Sequence, residues 1–182
     1  MRMPQVKNVL RFCTNVVNSG FDVIMRILFV CSANICRSPL AETILRYKLA
    51  ERGIAGVEVD SAGVHDYSGE PRDSMMVSYA RKAGYELKGR SKYISKEILD
   101  LADYIICMEH FHVVEVQKRL PYVRWNRIHL FNEICFEERT GLPDPSGDTG
   151  YMYTYVLQRV DEGCGTIAWK ISKMMNDGEN LF

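Results

Sequence analysis

The chain has 182 residues, 47% of them hydrophobic and 25% charged, enough for one domain with a proper core. Lysine plus arginine and aspartate plus glutamate stand at 23 each, so nothing supports general nucleic-acid binding and any anion site must be local. No apolar run approaches the roughly 20 residues that span a bilayer, and six cysteines are too sparse for a secreted disulfide framework, so a cytoplasmic protein without membrane or nucleic-acid partners is expected.

Residues 1–24 mix Arg2, Lys7 and Arg11 with short apolar runs and lack the uninterrupted apolar stretch of a secretory signal. They are expected to be an N-terminal extension, either a flexible tail or a stretch ahead of the start codon that is used. The folded domain is placed at 25–182.

Ile27-Leu28-Phe29-Val30 reads as a buried strand and Leu40 to Ala50 as a helix with apolar residues at 40, 41, 44, 45 and 49. Ser38 and Pro39 read as its start, a hydroxyl at N-cap and a ring at the first helical position. Val57 to Gly63 alternates like a strand, and Val64 to Pro71 is a loop. A helix follows over Arg72 to Ala83, and another opens with Ser95 as its cap. Tyr104 to Met108 is a fully apolar strand, Phe111 to Leu120 a helix, and Arg127 to Phe131 the last strand. Tyr151 to Met175 is a long helical stretch with a break anticipated near Gly163 and Gly165. Strands alternating with helices imply an α/β domain, a parallel sheet with helices on both faces, and ligands beyond the carboxyl ends of the strands.

Cys31 then sits at such a strand end, with Arg37 six positions on at a helix N-terminus. A loop curling into a helix start aims several N–H groups at one point, and the helix dipole adds positive potential. Arg37 offers a fork to two phosphate oxygens, and the same field favours a Cys31 thiolate able to attack phosphorus. Read alone, Cys31 is an ordinary core thiol; the strand, loop, Arg, Ser and Pro together make it a nucleophile.

Val30-Cys31 through Arg37-Ser38-Pro39, followed by Ala41-Glu42, resembles the signature of the low-molecular-weight protein tyrosine phosphatases, and the resemblance runs from about Met25 to the C-terminus. It implies a four-stranded sheet in the order 2-1-3-4, and a phosphate-binding loop made of Ser32, Ala33, Asn34, Ile35, Cys36 and Ser38. Ser61 would support that loop, and the Ser38 hydroxyl would stabilise the thiolate. The leaving group needs a proton. Asp144, between Pro143 and Pro145, would alone pass for a turn residue; the resemblance makes it the general acid, with Asp148 as the fallback. Tyr67 falls where relatives place an aromatic pocket wall. No metal or cofactor is implied. The expected partner is a phosphotyrosine protein, with a bacterial tyrosine kinase as a candidate, and the chain would act as a monomer or weak dimer.

Three departures stand out. Ala33 replaces a usual glycine. Gly89 falls near where many relatives carry a histidine linked to the loop. Ser146-Gly147 stands where animal members have two tyrosines, which resembles the bacterial branch. Ile35, bulky and apolar, favours a phenol over the guanidinium handled by protein-arginine phosphatases of the same scaffold. A thiol-coupled arsenate reductase would need redox cysteines on a mobile segment, whereas Cys107 and Cys164 fall in a strand and a helix. Cys36 offers Cys31 a redox partner, read as protection of an enzyme, since a phosphate-binding redox sensor would have no need of Asp144.

Overall fold

The computed structural model describes residues 25–148 and 150–177; the expected extension, 1–24, lies outside them. Four parallel strands, β1 (Met25–Cys31), β2 (Val57–Gly63), β3 (Tyr104–Cys107) and β4 (Ile128–Leu130), form one sheet in the order β2-β1-β3-β4. The helices are α1 (Arg37–Glu51), α2 (Ser74–Lys82), α3 (Lys96–Leu101), α4 (His110–Gln117), α5 (Phe131–Phe136) and α6 (Tyr151–Asp177).

Strand periodicity divides the core between the two faces. Ile27, Phe29 and Cys31 of β1 join Leu40, Ile44 and Leu45 of α1 and Val156, Val160, Ile167 and Ile171 of α6. Leu28 and Val30 point the other way, to Leu99 of α3, Ile105 and Cys107 of β3, and Val116 of α4. Side chains such as Phe29 and Ile44 are wholly buried, each contributing about 1.5–3 kcal/mol. β1 lies between β2 and β3, so Cys31 emerges where the strand order reverses, the position at which open α/β sheets bind ligands.

Local expectations change at three places, and one element is added. Ser38 is not the cap of α1: the helix begins at Arg37, Cys36 occupies the cap position, and the Ser38 hydroxyl turns inward. The long C-terminal helix is continuous through Gly163. A Cβ at Gly163 would meet the Phe131 ring at 2.5 Å, so that glycine seats α6 against α5 rather than breaking it. Phe131 belongs to α5, not to the last strand. A 3-10 segment, Tyr122–Arg127, precedes β4.

Candidate active site

The loop from Cys31 to Arg37 closes around the Cys31 sulfur. The Ser38 hydroxyl lies 3.0 Å from Sγ, and the Asn34 N–H donates to Sγ at 3.3 Å. Asn34 is left-handed, with φ +57°, which asparagine tolerates better than most residues. Its side chain is fully engaged: Nδ2 donates to Ser38 Oγ at 3.0 Å and to Ser61 Oγ at 2.8 Å, and Oδ1 accepts from Lys92 N at 2.9 Å and from Arg72 at 3.1 Å. Ser61 in turn donates to Glu42 at 2.5 Å. The Ala33 methyl brings no left-handed backbone strain, because Asn34 and Glu137 are the non-glycine residues with positive φ among those described.

Arg72 fills the place near Gly89. Its guanidinium donates to both the backbone and side-chain oxygens of Asn34 and, at 3.0 Å, to Lys88 O. Gly89 has φ +86°, and a Cβ there would only touch an Arg72 nitrogen at 3.4 Å, so the backbone conformation rather than crowding favours glycine. Gly63 is held by the loop itself: a Cβ would meet Ser32 O, Ala33 C and Asn34 N at 2.8–2.9 Å, all backbone.

Arg37 is almost wholly buried, and a buried guanidinium must be paired. It donates to Leu142 O at 2.9 Å, to Ser32 Oγ at 3.3 Å, to Asp144 Oδ2 at 2.5 Å and to Glu109. The Asp144 loop is stitched to the sheet by Leu142 N, which donates to Met108 O at 2.7 Å just past β3. Burial opposes charge on Asp144, but Arg37 and the Ser146 hydrogen bonds outweigh it and hold the carboxyl below its usual range. Asp148 accepts from Gly150 N and Met152 N, both at 3.0 Å, at the start of α6, so it serves the helix and not the loop.

The other expected residues fall into place unevenly. Cys36 is a buried free thiol; burial, then the nearby Asp73 carboxylate, push its pKa up, so it stays protonated. Ile35 is half-buried and packs on the α1–α6 side of the core. Tyr67, 51% exposed, stands on the loop after β2 without entering the Cys31 network. Cys107 and Cys164 are buried core thiols, as the strand and helix patterns required. Glu109, His112, Arg72 and Gly63 also belong to the site, and sequence reasoning alone misses them. Glu109 directly follows the apolar run of β3 at the switch point, and its position there was the available signal. Among the described residues no group of three or more His, Cys, Asp or Glu is placed to hold a metal ion, and no helix is long and apolar enough to cross a membrane.

Comparison with known proteins bears on the family and the fold. The family model described as low molecular weight phosphotyrosine protein phosphatase matches residues 26–177. The low-molecular-weight protein-tyrosine-phosphatase Etp of Escherichia coli K12 is 32% identical over 148 residues, covering 81% of this chain and 95% of its own. The crystal structure of a protein tyrosine phosphatase from Entamoeba histolytica superposes with a TM-score of 0.77 at 26% identity, covering 83% of this chain and 99% of its own. The YwlE arginine phosphatase of Geobacillus stearothermophilus superposes at 0.76 with 25% identity, covering 86% and 99%.

Proposed function

The chain belongs to the low-molecular-weight phosphotyrosine protein phosphatases, and from that membership we propose that it hydrolyses phosphotyrosine on proteins through a phosphocysteine at Cys31. The observation that carries the reading is the convergence on one guanidinium, Arg37, of the Cys31 loop and of Asp144, which lies 107 residues further along the chain.

Cys31 thiolate attacks phosphorus in line, forming the S–P bond as the P–O bond to the phenol breaks. Arg37 and the loop N–H groups hold the non-bridging oxygens, where negative charge gathers. Asp144 gives its proton to the departing phenoxide. Water then attacks the phosphocysteine, Asp144 takes the water proton, and the Cys31 thiolate leaves with release of inorganic phosphate. A phosphate dianion competes with Asp144 and Glu109 for Arg37. Binding therefore loosens the ion pair that keeps Asp144 ionised and sets a negative charge beside it, which favours the protonated acid. The Ser38 hydroxyl, 3.0 Å from the sulfur, steadies the thiolate both as nucleophile and as leaving group.

Tyr67 and Ile35 line the aryl side of the pocket in this reading, and Cys36 is the redox partner of Cys31. The partner is a phosphotyrosine protein, of which a bacterial tyrosine kinase is the candidate class. Protein-arginine phosphatase is the second reading, favoured by the fold shared with YwlE; Ile35, apolar at the loop rim, weighs for the phenol. Rates on matched phosphotyrosine and phosphoarginine peptides decide between them. The expected result is faster hydrolysis of phosphotyrosine and none by Cys31→Ser. An inactive wild type, or an active Cys31→Ser, would sink the catalytic scheme.

A further inference from the structure

His112 has no role in that scheme, yet it is wholly buried beside the loop. The Glu109 N–H donates to its Nδ1 at 3.0 Å, so in the neutral ring the proton sits on Nε2. Nε2 lies 3.0 Å from Ser32 Oγ and donates to it. Burial, then the nearby charge of Arg37, lower the His112 pKa to about 4, so the ring is neutral at pH 7. Arg37 Nη2 donates to the same serine oxygen at 3.3 Å.

A serine hydroxyl has two acceptor lone pairs and one proton. Here two donors occupy both lone pairs, so the proton is directed along the one remaining bond direction. Among the described residues no acceptor meets it. The nitrogen that holds Ser32 Oγ also holds Asp144 Oδ2, which puts the hydroxyl at the edge of the anion cradle. Ser32 is only half-buried, so that edge is open to a ligand.

We infer that Ser32 binds the substrate phosphate through its side chain, its O–H donating to a non-bridging oxygen, and that His112 is the positioning residue that fixes this direction. The inference rests on the phosphatase reading and adds to it: the loop amides and Arg37 bind phosphate without needing a hydroxyl at position 32, and a serine there without His112 would be free to turn its proton elsewhere. The ring also braces Glu109, so one buried histidine ties the loop to the start of α4.

The test uses the full chain, with inorganic phosphate as the probe, read both by calorimetric titration and by competition against an aryl phosphate. Losing a hydrogen bond to a charged oxygen should weaken phosphate binding about 10- to 100-fold in Ser32→Ala, with an unchanged circular dichroism spectrum. Ser32→Thr keeps the hydroxyl and should recover most of that loss. His112→Phe should weaken phosphate in the same direction and add little in the Ser32→Ala background. Wild-type phosphate affinity in Ser32→Ala, no recovery in Ser32→Thr, or fully additive losses would overturn the inference. Should His112→Phe fail to fold, the Ser32 pair still decides. Titration of phosphate needs no turnover, so failure here is distinguishable from a wild type that does not hydrolyse.

Discussion

Arg37 Nη2 stands 2.5 Å from Asp144 Oδ2, and the same guanidinium donates to Glu109 and to the carbonyl of Leu142. The group proposed to bind phosphate thus also anchors the proposed acid and its loop. Asp144→Asn should keep the loop in place but remove the transferable proton. We expect kcat to fall roughly 10²–10³-fold on phosphotyrosine, with a smaller loss on an activated aryl phosphate whose leaving group needs no proton. Equal losses on both substrates would argue that Asp144 only positions Arg37. Since the acid must be protonated, the alkaline fall in kcat/KM that belongs to it should vanish in the variant.

Gly63 faces the loop backbone so closely that a methyl group has nowhere to go. In Gly63→Ala the loop must shift at Ser32–Asn34, which displaces the amides that receive phosphate. A misplacement near 1 Å costs about 10²-fold in rate. We expect a loss of that order in kcat/KM, measured on an aryl phosphate, with the thermal transition still cooperative. Unchanged kinetics would mean that the loop is softer than its packing implies.

Cys36 is buried and protonated within the Cys31 loop. In the proposed redox role, peroxide would convert the Cys31 thiolate to a sulfenic acid, and the Cys36 thiol would condense with it, releasing water and forming a disulfide. Peroxide-treated wild type should regain activity with dithiothreitol, while Cys36→Ser should be lost irreversibly as Cys31 oxidises further. Mass spectrometry of the Cys31 peptide reads the outcome. Full recovery of Cys36→Ser would remove Cys36 from this role.

His112 binds a proton more weakly in the folded state, with its pKa at about 4, than a histidine in the unfolded chain, at about 6.5. The unfolded chain therefore takes up more protons between these values, and stability falls as pH drops through that window. The full contribution is present above pH 6.5, and up to about 3 kcal/mol is lost by pH 4. Urea unfolding at pH 7 and pH 4.5 measures it. His112→Gln should show a shallower decline; an identical slope would assign the acid lability to other groups.

Much of this was written in the chain. The apolar runs of β1 and β3, the alternation of β2 and the intervening helical periods give a parallel α/β sheet, because strand and helix burial have different periods. Cys31, Arg37 and the short loop between them are local, and local spacing defines an anion cradle. Ser38 shows where local rules stop. As a helix start it should cap α1, but the Cys31 sulfur and Asn34 claim its hydroxyl across the loop. Likewise Gly163 reads as a helix breaker until the Phe131 ring is placed against it.

What only the tertiary structure decided is which distant residues complete the cradle. Sequence separation hides that Asp144 and Glu109 share one guanidinium, that Arg72 reaches Asn34, and that a buried histidine on α4 orients the hydroxyl of Ser32. These pairings depend on how β3, the Asp144 loop and the segment between β2 and α2 settle against β1, and no periodicity encodes them. The sequence determined the family, the place of Cys31 at a strand end and the class of the sheet. The fold decided which partners meet Arg37, because a buried charge must be paired wherever the packed chain brings a carboxylate within reach.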